Sequence, residues 1–197
     1  MSRIGFFGGS FNPPTNAHIS FAKQIVDECK LDKLVFVPIG DFYKKQELIE
    51  FKHRYNMLDV ICNLNDKLHV SDIENNQQTK LYAIDIFKII KEKYQNDDVY
   101  FIMGSDNLKS IKNWKGYNEL ITNYKYIILE REQNAFQNII ENNNDIKKDN
   151  FIVVSNENYM DISSSLVREK IANHEDISNL IPKEIEEYIR ENKLYSR

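Results

Sequence analysis

Ile4-Gly5-Phe6-Phe7-Gly8-Gly9-Ser10-Phe11-Asn12-Pro13-Pro14-Thr15-Asn16-Ala17-His18 decides the fold. The apolar run over 4–7 has no polar alternation, so it reads as a strand buried on both faces, as in a parallel sheet. It ends in adjacent glycines and a proline pair. A helix over about 17–30 follows, with Ile19, Ala22, Ile25 and Val26 on one stripe. Strand, glycine-rich link and helix make the first half of a βαβ unit.

The same alternation continues outward. Further strands are expected over 34–37, 68–71, 99–103, 126–129 and 151–154. Helices are expected over 53–63, around Leu81, Ile84, Phe87 and Ile90, and over 164–173 and 182–192, with Pro182 in the first helical position. Residues 133–150, rich in Asn and Asp, read as a helix plus a solvated loop. The pattern predicts an α/β fold: a doubly wound, Rossmann-like parallel sheet with helices on both faces and a small C-terminal helical segment. One domain over 1–197, with its helical part at about 162–197, is the simplest organisation. Ligands of such sheets bind beyond the carboxyl ends of the strands, here after Phe7, Val37, Met103 and Val154.

Composition narrows the function. With 26 Lys and Arg against 30 Asp and Glu, the net charge is -4. No basic field marks a nucleic-acid binder, so any anion site must be local. Cys29 and Cys62 have neither zinc-ligand spacing nor the density of a disulfide framework. No apolar run approaches the roughly 20 residues that span a bilayer. The N-terminus carries no signal-peptide pattern. These features predict a soluble, cytoplasmic protein with no membrane partner, and leave a homo-oligomer open.

Two segments carry chemistry. Gly8 and Gly9 would let a ligand approach the backbone, and the following helix N-terminus would hold phosphate. Thr15 and His18, three apart, can face one ligand as donors. The same residues also suit an ordinary glycine turn with a helix-start histidine. No Walker or G-x-G-x-x-G pattern is present. The second segment is Asp161-Ile162-Ser163-Ser164-Ser165-Leu166-Val167-Arg168. Serines cap helices, and an arginine one turn inside can fork onto phosphate oxygens. A serine cap with a solvated arginine is the plainer alternative. Both segments follow strands of one parallel sheet and so would open into the same crevice. Trp114 in its polar setting suits either satellite packing or ring stacking. His53-Arg54 reads as a surface pair, and Lys44-Lys45 as a basic loop or a cover over the site.

Gly9-Ser10-Phe11-Asn12-Pro13 with Thr15-x-x-His18 resembles the G-[ST]-F-[DN]-P…[HT]-x-G-H signature of the nucleotidyltransferase superfamily. Ile162-Ser163-Ser164-Ser165 with Arg168 resembles its I-S-S-[ST]-x-x-R motif. Gly104-Ser105-Asp106 with Trp114, and the ending Leu180-Ile181-Pro182…Tyr188-Ile189…Leu194-Tyr195, resemble the bacterial nicotinate-nucleotide adenylyltransferases. The resemblance implies transfer of AMP from ATP to nicotinate mononucleotide, with release of pyrophosphate and formation of deamido-NAD, a step of NAD biosynthesis. ATP and a pyridine mononucleotide would be the partners, with Mg²⁺ held mainly by substrate phosphates and no protein metal site. His18, Thr15 and Arg168 would carry the catalysis. Gly8, Gly9, Ser10, Phe11, Gly104, Asp106, Ile162, Ser163 and Ser164 would join His18 and Arg168 in binding ATP. Ser10, Phe11, Lys44, Tyr82, Ala83 and Trp114 would bind the acceptor.

The chain departs from the pattern in four places. Ala17 replaces a glycine, Thr15 a frequent histidine, and Ala83 a threonine that helps recognise the nicotinate carboxylate. Asp41-Phe42-Tyr43-Lys44-Lys45 replaces a P-P-H-K segment. Nicotinamide mononucleotide or phosphopantetheine as acceptor, and a catalytically silent nucleotide-binding domain, are the alternatives.

Overall fold

The fold is described from a computed structural model covering residues 1–42, 47–75, 79–130, 134–143, 145–155 and 162–196. Among these residues the elements run β1 (Arg3–Gly9), α1 (Asn16–Glu28), β2 (Lys33–Pro38), α2 (Phe51–Cys62), β3 (Leu68–Val70), α3 (Ala83–Lys93), β4 (Asp98–Gly104) and α4 (Ser105–Ser110). Then come α5 (Tyr117–Asn123), β5 (Lys125–Glu130), α6 (Ala135–Glu141), β6 (Phe151–Ser155), α7 (Ser164–Ala172) and α8 (Lys183–Glu191). The six strands form one sheet in the order β3-β2-β1-β4-β5-β6, and every pairing is parallel. The chain winds outward from β1 to β3, then returns beside β1 with β4 and winds the other way. This is the doubly wound topology the sequence predicts, with its switch point between β1 and β4.

The strands are apolar because both faces are covered. Phe7, Leu34, Phe36 and Ile102 point into one buried cluster with α1, α2 and the C-terminal helices. Ile4, Phe6, Val35, Phe101 and Met103 point into the other, with α3, α5 and α6. Alternate residues of one strand thus feed opposite layers. The C-terminal helices belong to the first layer. Val167 of α7 and Ile185 and Ile189 of α8 are buried there, and the Tyr188 hydroxyl meets His53 Nδ1 at 3.1 Å and accepts from Asn56 Nδ2 at 3.0 Å on α2.

Three details differ from expectation. Gly8 and Gly9 continue β1, in register with Val37 and Pro38, rather than forming the turn. The turn begins only at Ser10. The helix expected within 133–150 is α6, but the loop after it is not wholly solvated, since Ile146 is buried against the second cluster. Pro182 is the N-cap of α8, one residue before the position expected.

Candidate active site

At the carboxyl ends of β1 and β4 lies a cavity of about 1040 Å³, lined in part by Gly8, Ser10, His18, Gly104, Trp114 and Arg168. That is the size of a site for a nucleotide and a second small molecule together. Gly8 and Gly104 flank the switch point. A Cβ built on either would meet no atom within 4 Å, so each leaves backbone open to a ligand. Gly9 lines the cavity too, and its lack of a side chain also serves the protein, because a Cβ there would strike the Phe11 ring at 2.9 Å. Phe11 sits at φ 47, a region costly for a side-chain-bearing residue. Its buried ring is held edge-on against Phe7 and Phe36, with centroids 5.5 and 5.4 Å away.

His18 is fixed by the helix it opens. Thr15 is the N-cap of α1, and its hydroxyl accepts from the His18 amide. In return the Thr15 amide donates to His18 Nδ1 at 3.1 Å, with the Thr15 hydroxyl 2.7 Å from the same nitrogen. A backbone amide can only donate, so Nδ1 is an acceptor and the proton of the neutral ring sits on Nε2. Thr15 is fully buried and does not line the cavity. This corrects the expectation that it faces the ligand. An N-cap hydroxyl turns back onto its own helix, so Thr15 positions His18.

The serine-led helix opens into the same cavity. Ile162, Ser163, Ser164, Ser165 and Arg168 line it, as does His18; Asp161 lies outside the described residues. Two of the hydroxyls serve the fold. Ser163 caps α7 by accepting from Leu166 N at 3.1 Å, and Ser164 donates to the Pro13 carbonyl at 2.8 Å. The first-turn amides of a helix have no partner within it, so those of α7 not taken by the cap are suited to an anion. Arg168 donates to the Asn12 carbonyl at 2.9 Å and to Glu47 Oε2 at 2.9 Å. The Glu47 carboxylate occupies the fork that a phosphate would need. Asn12 is a junction: its side chain donates to the Glu47 carbonyl and accepts from the hydroxyl of Tyr195, 183 residues away.

Arg54 is the residue the sequence reading misjudged. It is fully buried rather than a surface residue, and donates to the carbonyls of Ile49 (2.9 Å) and Ser10 (3.2 Å) and to Asp41 (3.4 Å). Position 54 lies four and seven residues before Leu58 and Ile61, on the buried stripe of α2. That spacing was the available signal. Burial pulls its guanidinium down from the ordinary arginine range, while Asp41 opposes the shift.

Glu74 also lines the cavity. Burial pushes its carboxyl up to about 7, against the opposing Gly40 amide and Arg54. The folded state therefore binds this proton more tightly than the unfolded chain. The resulting stability is complete below the ordinary value of 4.5 and is lost as pH rises through about 7. Glu74→Gln should flatten the dependence of melting temperature on pH across that window. An unchanged slope would remove Glu74 as its source.

Toward the other end, Trp114 is half-buried; it packs against the second core cluster and also lines the cavity. Ser10, Phe11, Tyr82 and Ala83 line the cavity with it, as do Gly104 and Asp106. Lys44, expected to bind the acceptor, lies outside the described residues, as does Lys45.

A parallel sheet with a cavity at its switch point, lined by two helix-opening motifs, defines an α/β protein of the nucleotidyltransferase type. The family model described as cytidylyltransferase-like matches residues 6–170. A probable nicotinate-nucleotide adenylyltransferase of Acholeplasma laidlawii is 35% identical over 190 residues, covering 96% of this chain and 95% of that protein. One of Fusobacterium nucleatum is 33% identical over 189 residues, covering 95% and 96%. Among solved structures, Plasmodium falciparum nicotinic acid mononucleotide adenylyltransferase complexed with NaAD superposes with a TM-score of 0.83 at 26% identity, covering 99% of this chain and 98% of that one. The same enzyme complexed with APC gives a TM-score of 0.82. The chain belongs to the cytidylyltransferase-like family and, within it, to the nicotinate-nucleotide adenylyltransferases.

Proposed function

We propose that this chain transfers the adenylyl group of ATP to nicotinate mononucleotide, forming deamido-NAD and pyrophosphate. The observation that carries the reading is one cavity at the switch point that reaches both His18 and Arg168. A phosphate oxygen of the acceptor attacks the α-phosphorus of ATP. The bond from that phosphorus to the α–β bridging oxygen breaks, and pyrophosphate leaves with the charge. The attacking oxygen is already anionic, so neither a protein nucleophile nor a general base is required. What the site supplies is alignment and charge stabilisation.

His18 Nε2–H donates to the phosphate oxygens where charge accumulates. Arg168 and the opening amides of α7 hold the β and γ phosphates once Glu47 yields the fork. Gly8 and Gly104 admit the nucleotide against the backbone, Asp106 takes the ribose hydroxyls, and Trp114 stacks on the pyridine. Among the described residues, no group of three or more His, Cys, Asp and Glu is placed to hold a metal ion. Mg²⁺ bound to ATP would supply charge neutralisation at the phosphates, alongside His18 and Arg168. No helix among the described residues is long and apolar enough to cross a membrane; we place the protein in the cytoplasm, where ATP is abundant.

Pyrophosphate release with ATP and, in parallel, nicotinate mononucleotide, nicotinamide mononucleotide and phosphopantetheine tests this. Release is expected to be fastest with the first, and fastest release with phosphopantetheine would overturn the acceptor assignment. Arg168→Ala should raise the KM for ATP about tenfold or more, the scale of losing charge-assisted hydrogen bonds. An ATP titration that superposes on wild type would take Arg168 out of the phosphate site.

A further inference from the structure

The last residues of the chain turn back onto the loop that follows β1. Beyond α8, Lys193 and Tyr195 adopt φ of 50 and 62, the left-handed region that such residues enter when other contacts hold them there. The Leu194 amide donates to the Ile189 carbonyl at 3.0 Å. Leu194 and Tyr195 pack against the core cluster shared by α1, α2 and α8. The Tyr195 hydroxyl then lies 2.9 Å from Asn12 Oδ1. Burial pushes this hydroxyl up, against the opposing pull of Arg168 and Arg54, so at neutral pH it keeps its proton and can donate.

Asn12 is buried and lines the cavity, and its neighbours settle which way its amide points. The Ile49 amide can only donate and lies 3.4 Å from Oδ1, while the Glu47 carbonyl can only accept and lies 2.8 Å from Nδ2. The atom facing Tyr195 is thereby the oxygen, and the tyrosine is its donor. On the backbone side, the Asn12 carbonyl accepts from Arg168 Nη1 at 2.9 Å. The guanidinium also donates to Glu47 Oε2 and Ser165 Oγ. Glu47 must give up its bonds for a phosphate to enter; the Asn12 carbonyl need not. We infer that Tyr195 is a positioning residue for the triphosphate, acting through Asn12 to fix the carbonyl that aims the Arg168 guanidinium. The inference rests on the reading of Arg168 as a phosphate ligand given above. A guanidinium already aimed loses less freedom when it meets phosphate, so more of the interaction appears as affinity.

The test measures ATP affinity of the full chain by calorimetric titration without acceptor, and KM for ATP and kcat by pyrophosphate release. Tyr195→Phe removes one oxygen and keeps the ring in the core. It should weaken ATP binding and raise the KM for ATP about fivefold, the scale of one hydrogen bond, with kcat nearly unchanged. The decisive comparison is made in the Arg168→Ala background. No guanidinium is left there to aim, so adding Tyr195→Phe should weaken ATP binding no further. The same factor in both backgrounds would make Tyr195 a structural residue and overturn the inference. So would Tyr195→Phe with wild-type ATP affinity, or a loss confined to kcat. An Arg168→Ala variant that binds ATP like wild type would remove Arg168 from the phosphate site, and this assignment with it. Wild type that binds ATP yet releases no pyrophosphate with any acceptor would sink the proposed reaction alone, and the titrations would still decide the role of Tyr195.

Discussion

His18→Ala is expected to lower turnover about 10²–10³-fold, the scale for deleting one preorganised donor at developing charge. The size follows from how the ring is held. The Thr15 amide donates to Nδ1 at 3.1 Å, which fixes the ring and makes Nε2 the donor before substrate arrives. No reorganisation is then needed as charge shifts toward the leaving pyrophosphate. Alanine removes the donor and leaves α1 intact, because the Thr15 hydroxyl can still cap the helix. Steady-state pyrophosphate release, with circular dichroism as a check on folding, gives the answer. A folded variant with near wild-type turnover would remove His18 from the chemistry.

The second large effect is on stability. Arg54→Ala is expected to cost about 3–5 kcal/mol. The Ser10 and Ile49 carbonyls each lose a charge-assisted partner at about 1–3 kcal/mol, and a cavity opens where a fully buried side chain stood. Asp41 adds less because its side chain is 50% exposed and can be rehydrated. For a chain of this size the loss corresponds to a melting temperature lower by roughly 10 °C. Arg54→Lys, which keeps the charge and loses the fork, should fall between. A melting temperature within a degree or two of wild type for Arg54→Ala would show that the buried fork contributes little. The link to function is Ser10: its carbonyl is held from α2, so the loop that lines the cavity is tied to the core.

How much of this was legible depended on the range of the interaction. Fully buried strands announce themselves as apolar runs, so Phe6-Phe7, Val35-Phe36 and Tyr126-Ile127 placed the sheet. The glycines that end β1 and the serines that open α7 were legible as motifs, because helix ends and close backbone approach demand particular residue types. Their detailed roles were not. Thr15 caps its helix, and Ser164 bonds Pro13 across 151 residues. Neither direction can be seen along the chain. Asn12, Glu47, Arg54 and Tyr195 act through hydrogen bonds between distant segments. Periodicity reports which face is buried and is blind to partners. For Arg54 even the face was available, and the charge of the residue outweighed it. A buried arginine is rare enough that its pattern is easily set aside.

The central claim is that the start of α1, carrying His18, and α7, carrying Arg168, form the two walls of one triphosphate site. A crystal structure with a non-hydrolysable ATP analogue tests it most directly. The account predicts the phosphate chain lying between the His18 imidazole and the Arg168 guanidinium, with the Glu47 carboxylate displaced from the fork and the nucleotide against Gly8 and Gly104. An analogue bound elsewhere, or one that leaves the Arg168–Glu47 pair in place, would contradict it.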